Sequence, residues 1–356
     1  MHAMETTTTV KDVAPGVTAI ATAMARLYGY EQEPRHWSNE GWAGAGGQGQ
    51  DPLEGVSAFP ASDHWHYVTY GLTRLHEDDS AFPVRPGVSG FGFELTFRVA
   101  RHAGSEAPYW PVQMLQRLAR YVFRSSNVFR AGDHMELNGP LGGLRNTQLE
   151  ALLFTNDPEL PTLETRNGTI EFVQVFGVAS DEIDAVRDWR CDGFLELAAA
   201  RNPKLVTYPG RASLLNDPEF AKACRKGARR DGSSHGSSFT SVVSWEQVGE
   251  GVEITVGAIA VPDLLRMLRL RLPYNRTFKL VGRRSSVVFV PGLGAGWQPG
   301  GLELTLSVPW DAAGAMAEEL EPKRGRYDWP GLDGVTIIVE PTDVRGARGE
   351  LLRVIG

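Results

Sequence analysis

Ser89-Gly90-Phe91-Gly92-Phe93-Glu94-Leu95-Thr96-Phe97-Arg98 is the stretch from which the fold is read. Phe91, Phe93, Leu95 and Phe97 alternate with Gly92, Glu94, Thr96 and Arg98, the two-residue period of a half-buried strand. Upstream, His64-Trp65-His66-Tyr67-Val68-Thr69-Tyr70-Gly71-Leu72 reads as a second strand. Downstream, Pro111 opens a helix whose Val112, Leu115, Leu118, Ala119, Val122 and Phe123 form one apolar stripe. Two strands and a helix in this order suit an α+β domain with a sheet flanked by helices.

The pattern extends in both directions. Val17, Ile20, Met24, Leu27 and Tyr28 recur at helical spacing, and the Gly-rich segment from Glu31 to Asp51 reads as a loop. Strands are expected at Leu149–Phe154, Ile170–Val178 and Leu205–Tyr208, and helices at Asp181–Trp189, Gly193–Ala200 and Pro218–Ala228. Beyond the small polar run Asp231–Ser238 the texture becomes strand-rich: Thr240–Trp245, Val252–Val256, Thr277–Val281, Ser286–Val290, Leu302–Val308 and Val335–Val339. Helices at Pro262–Leu270 and Ala312–Leu320 interrupt them. The expected fold is α+β in two domains: the first a mixed sheet flanked by helices, the second smaller and strand-rich. The expected boundaries are a disordered tail over 1–15, a first domain over 16–232, a linker over 233–240 and a second domain over 241–345.

Composition narrows the function. The 356 residues carry 36 Lys and Arg against 43 Asp and Glu, a formal charge of −7, which argues against direct binding to nucleic acid or anionic lipid. Cys191 and Cys224 are the two cysteines, too few for a disulfide framework or a cysteine-built zinc site. No apolar run approaches the ~18 residues of a membrane span, and no secretory leader is recognisable. The expected location is the cytoplasm.

Candidate chemistry is sparse. Gly44–Gly49 satisfies the letter of a dinucleotide-binding glycine motif, but no strand precedes it and no helix follows, so it reads as a loop. His64 and His66 share one strand face and could hold a metal given further ligands; Asp63 is expected on the other face, which leaves hydrogen-bonded sheet histidines as the commoner outcome. Asp133, His134 and Cys191 are the residues a small-molecule hydrolase would use. Asp133 and His134 are adjacent, however, and adjacent strand residues face opposite ways. Cationic groups at Lys222, Arg225, Lys226, Arg229, Arg230 and at Arg266, Arg269, Arg271, Arg276, Arg283, Arg284 read as solvated faces and structural pairs.

Taken together the motifs resemble the Suppressor of fused family. They are Asp51-Pro52-Leu53 with Val56-Ser57, His64-Trp65-His66-Tyr67 with Gly71-Leu72, and Ser89 to Arg98. Ala119-Arg120-Tyr121-Val122-Phe123, Gly132-Asp133-His134, Pro140-Leu141 and Asp157-Pro158 follow, with Tyr327, Trp329 and Pro330 near the end. The resemblance runs from about Pro15 to about Asp343. It implies two α+β domains closing around a partner peptide, no catalysis, no cofactor and no metal. In animal members the partner is a transcription factor held in the cytoplasm, and a short segment of it adds as a strand in an interdomain cleft. Tyr121 and Asp133 match family contact positions and are the expected partner-binding residues. The chain departs from animal members in lacking a long insertion in the second domain and in carrying Asn156 where they are acidic. Its Ala-, Gly- and Arg-rich composition points to a bacterium. Bacterial relatives imply an immunity protein, with a toxin domain as the partner.

Overall fold

A computed structural model of the chain describes residues 14–38, 52–77, 82, 85–137, 139–345 and 350–356. Most of the expected tail, the glycine motif Gly44–Gly49 and Asp51 lie outside the described residues. The structure is mixed α/β, with seven α-helices and several mixed sheets among those residues, which matches the expected fold class. The chain divides into two compact units, residues 1–183 with 195–216, and residues 184–194 with 217–356.

In the first unit, helix α1 (Pro15–Tyr28) precedes strands β1 (Arg35–Ser38), β2 (Gly55–Pro60), β3 (His64–Tyr70) and β4 (Val88–Ala100). Helix α2 (Trp110–Ser125) then leads to β5 (His134–Glu136), β6 (Leu149–Asn156), β7 (Leu163–Thr165) and β8 (Gly168–Ala179). The sheet order is β1-β2-β3-β4-β8-β6-β5, with β7 also on β8. β4 pairs antiparallel with β3 and parallel with β8, so the sheet is mixed. At the start of β4 the ladder to β8 shifts register between Val88 and Phe93. Gly90 lies there at φ 57°, where a Cβ would stand 2.8 Å from the Leu72 carbonyl oxygen, so the bulge needs glycine.

Both faces of β4 are buried, which corrects the half-buried expectation. Phe91, Phe93, Leu95, Phe97 and Val99 pack with Val112, Leu115, Leu118, Ala119 and Val122 of α2. On the opposite face Ile20, Ala23 and Met24 of α1 cover Phe59, Val68, Tyr70, Ile170 and Phe172. Glu94, Thr96 and Arg98 lie on that second face with 0% exposure. A helix over each face leaves these polar residues no water, so each must be satisfied internally.

Much of this pairing converges on one carboxylate. Asp157, just past β6, accepts six hydrogen bonds: from His66 Nε2 (3.1 Å), Thr96 Oγ1 (2.7 Å), Arg98 Nη1 (2.7 Å) and Nη2 (2.9 Å), and the Glu159 and Leu160 amides. Arg98 also donates to Gln174 and pairs with Glu159, which Lys204 holds at 3.0 Å. Burial alone would raise the Asp157 carboxyl, but His66 and Arg98 hold it well below the usual range. Burial, then the nearby Arg98 charge, lowers His66 to about 4, so the ring is neutral. An ionised carboxylate only accepts, so Nε2 carries the proton and Nδ1 accepts from the Tyr28 hydroxyl at 2.8 Å. Tyr28 thereby ties α1 to the cluster. Glu94 is the second buried carboxyl. Burial pushes it up to about 7 against hydrogen bonds from Thr69, Gly71 and Thr73.

Asp63 does not point away from His64 as expected: its Oδ1 lies 2.7 Å from His64 Nδ1. Asp63 precedes the strand, so the alternation of strand faces does not govern it. Leu205–Tyr208 reduces to one bridge, Thr207 to Val99, because Leu205 turns to φ 49°.

The second unit contains helix α5 (Pro218–Asp231), strands β9 (Ser237–Phe239), β10 (Val243–Val248) and β11 (Gly251–Gly257), and helix α6 (Val261–Arg271). After these come β12 (Phe278–Val281), β13 (Ser286–Pro291), β14 (Gly296–Gly300), β15 (Glu303–Val308), α7 (Trp310–Glu319), β16 (Gly325–Asp328), β17 (Val335–Glu340), β18 (Thr342–Arg345) and β19 (Leu351–Ile355). The remaining helices, α3 (Ser180–Asp188) and α4 (Cys191–Ala199), span the division. Sheets ordered β10-β11-β17-β16 and β14-β15-β13-β12-β9 enclose one core with Leu264, Leu268 and Met316. The expected linker 233–240 contributes structure here. Ser233 is buried, its hydroxyl donates to the Arg187 carbonyl at 2.5 Å, and β9 pairs parallel with β12.

Removing one partner of a buried ion pair strands the other charge, at a cost of about 3–5 kcal/mol. Asp157→Ala is therefore expected to lower unfolding stability in urea by that order, and an unchanged midpoint would refute the account. The depressed His66 sets a pH dependence of known sign. Unfolded, the ring gains its proton near 6.5; folded, near 4. Stability then falls as pH drops from 6.5 to 4, by up to about 1.4 kcal/mol per unit from this one proton. His66→Gln removes that part of the slope, measured as urea midpoints across this range against wild type.

Candidate functional site

The ionisable cluster around Asp157 is buried at its centre, where the Asp157, Arg98 and His66 side chains have no exposure, and it serves the fold. The accessible candidate lies on the other face of the same unit. α2 lies over the sheet near β5, the strand at one end of the sheet order. Between them runs an open groove of about 220 Å³, lined by Trp110, Met114, Arg117, Tyr121, Met135 and Leu137 among others. Met135 and Leu137 pack on the core beneath α2, so the groove floor is apolar. Pro111 in the first turn and a left-handed Ser126 at the C-cap fix the length of α2, and with it the position of Tyr121 one turn from its end.

Tyr121 stands on the rim, 39% exposed. Its ring stacks on Phe129 at 5.5 Å, and Phe129 stacks on Phe154 of β6 at 4.1 Å and 6°. Asn127 Nδ2 donates to the Tyr121 hydroxyl at 3.1 Å. This column makes the ring a fixed wall rather than a free side chain.

Asp133 lies one residue before β5 and is exposed. Its Oδ2 accepts from the Arg130 amide at 2.8 Å, and its carbonyl accepts from Phe154 N at 3.0 Å. It therefore closes the turn that delivers β5 to the sheet. Tyr121 and Asp133 thus flank the same stretch, one on α2 and one at the entry to β5. His134 is the first residue of β5, opposite Leu153. Cys191 is buried at the start of α4, in the residues assigned to the second unit, whereas Asp133 and His134 belong to the first.

The two sheet histidines are engaged by Asp63, Asp157 and Tyr28. Among the described residues no group of three His, Cys, Asp or Glu could hold a metal ion. Among the same residues no helix is long and apolar enough to cross a membrane. The apolar groove residues Trp110, Met114 and Met135 were missed by sequence reasoning. Met135 is the middle residue of β5, whereas Met114 reads only as part of the helix that Pro111 opens and Trp110 lies one residue before it.

Comparison with known proteins gives these features a context. A family profile described as Suppressor of fused protein (SUFU) matches residues 49–212. The human and mouse Suppressor of fused homologs are each 34% identical over 257 residues, which is 67% of this chain and 52% of theirs. The chain spans about half the length of the curated relatives it matches. The crystal structure of Drosophila Suppressor of Fused superimposes with TM-score 0.78 at 21% identity, covering 92% of this chain and 97% of that one. A chain of the Sufu–Fu complex superimposes with TM-score 0.54 at 29% identity, over 60% of this chain and 98% of that one. The profile match covers most of the first sheet and α2, and the motif block Ser89–Arg98 lies inside it. With that block, the sequence identity and the shared fold, the chain belongs to the Suppressor of fused family.

Proposed function

We propose that this protein binds a protein partner without catalysis, holding an extended segment of it in the groove between α2 and β5 and so sequestering it in the cytoplasm. The observation that carries the reading is the groove itself: an apolar floor beside a strand at the sheet's end, with the pinned Tyr121 ring on its rim. An extended peptide laid along such a strand gains main-chain hydrogen bonds and places alternate side chains in the groove. The Sufu–Fu complex supports it, as a related chain in a complex. The finer reading is that the partner is a toxin domain and the protein its immunity factor; the Ala-, Gly- and Arg-rich composition supports a bacterial setting for it.

Affinity purification from the source cells, followed by calorimetry with the recovered partner, tests this. Tyr121→Ala and Met135→Asp are expected to weaken binding at least about tenfold, the range of a central aromatic contact. Asp133→Ala is expected to weaken it by loosening the turn into β5. Tyr121→Phe retains the stack on Phe129 and isolates the hydroxyl. Folded variants that bind the partner at wild-type affinity would remove the groove from the account. For the immunity reading, co-expression of the chain with the recovered domain is expected to restore growth that the domain alone arrests.

A further inference from the structure

The groove does not end at Tyr121. It continues into a second recess of about 320 Å³ lined by Arg117, Arg120, Tyr121, Arg124 and Ser125. Arg117, Tyr121 and Arg124 stand at i, i+4 and i+7 on α2, one exposed line of the helix. Arg117 and Arg124 make no ion pair among the described residues. Arg124 lies in the last turn, where it also offsets the negative end of the helix; Arg117 is two turns earlier and has no such role. A recess walled by three guanidiniums, without a carboxylate on its wall, is unexpected in a chain of net charge −7.

We propose that the segment captured by the groove is acidic. The proposal rests on the partner-binding reading above and names the chemistry of the partner. Arg117 and Arg124 are about 10 Å apart along the helix axis. In an extended chain, residues two and four positions apart on one face are about 7 and 14 Å apart. Long arginine side chains span that difference. Two Asp or Glu residues two or four positions apart therefore meet both guanidiniums, and an aliphatic or aromatic residue beside them fills the space among Trp110, Met114 and Met135. Charge-assisted, two-pronged hydrogen bonds from arginine to carboxylate give the pairing geometric selectivity as well as attraction. Glu136 lies on the β5 wall of the same groove, so the acidic residues belong on the α2 side. A protein segment is favoured over nucleic acid because the recess opens into an apolar groove rather than a continuous cationic surface.

Selection of random twelve-residue peptides on phage against the full-length chain tests this. Enriched peptides are expected to carry at least two Asp or Glu within five positions around an apolar residue. A labelled synthetic copy is expected to lose at least tenfold in affinity for Arg117→Glu/Arg124→Glu, and to weaken steadily as salt rises from about 50 to 300 mM. Both positions are exposed, and circular dichroism checks that the double variant folds. Neutral or basic peptides that bind at Tyr121, lost in Tyr121→Ala but indifferent to the arginine reversal, would overturn the acidic partner and leave the groove reading standing. Recovery of no peptide sensitive to Tyr121→Ala would overturn both. Displacement of the acidic peptide by an equal concentration of a twelve-nucleotide single-stranded DNA would assign the recess to nucleic acid and overturn the proposal.

Discussion

The carboxylate of Asp157, paired with Arg98 inside a sheet covered on both faces, is the constraint on which the first unit depends. An unpaired charge at 0% exposure is far too costly to keep, so every element that supplies a partner must be in place together. Those partners come from β3 (His66), β4 (Thr96 and Arg98), β8 (Gln174), the loop beyond β6 (Glu159 and Leu160) and, through His66, α1 (Tyr28). A one-residue slip of β4 would place Phe97 where Arg98 now sits and leave Asp157 without its counter-charge. A purely apolar second face would tolerate such a slip more readily. Buried pairs have a small or negative net value against apolar replacements, so the cost of breaking this one falls on any arrangement that separates Arg98 from Asp157.

That same arrangement explains what the sequence could and could not reveal. Alternation of Phe91, Phe93, Leu95 and Phe97 with polar residues reads as one wet face, because period alone does not distinguish water from a satisfied polar network. The Ser89–Arg98 block, His66 and Asp157-Pro158 were legible as parts of one family pattern, but not as contacts of one another. Their separation along the chain hides the network. Long periodic elements such as α2 and β8 stood out, whereas β1, β7 and β14 did not: they are short, and β14 (Gly296–Gly300) contains two glycines and a proline. For Asp231–Ser238 small polar composition suggested flexibility. Serine is also small enough to pack beside helix ends, as Ser233 does. In the site, Tyr121 came from family resemblance. The arginines beside it carried no such signal, because the legible pattern of α2 is its apolar stripe and not the opposite line of Arg117, Tyr121 and Arg124.

The groove inherits rigidity from the core beneath it. α2 is seated on the aromatic face of β4, and the column Tyr121–Phe129–Phe154 runs from the rim into β6. A surface held this way has few side chains left to order, which keeps low the entropic cost of covering it. An exposed cluster of guanidiniums in a net-acidic protein concentrates positive potential at that one recess.

The second unit meets the problem of buried charge by a different route. Arg271, 7% exposed, has no carboxylate partner among the described residues; its Nε donates to the Thr277 carbonyl and its Nη1 to that of Ser233, which Arg276 also reaches. Ser233 follows the C-terminus of α5, and Arg271 is the last residue of α6. The backbone carbonyls of Ser233 and Thr277 thus supply what a carboxylate would. Burial and the neighbouring Arg276 lower Arg271, as expected for a cation balanced by dipoles rather than by a full charge. A carbonyl cradle does not titrate. Of these two clusters, acid therefore acts first on the one that keeps His66 neutral against Asp157, and that cluster lies in the same unit as the groove between α2 and β5.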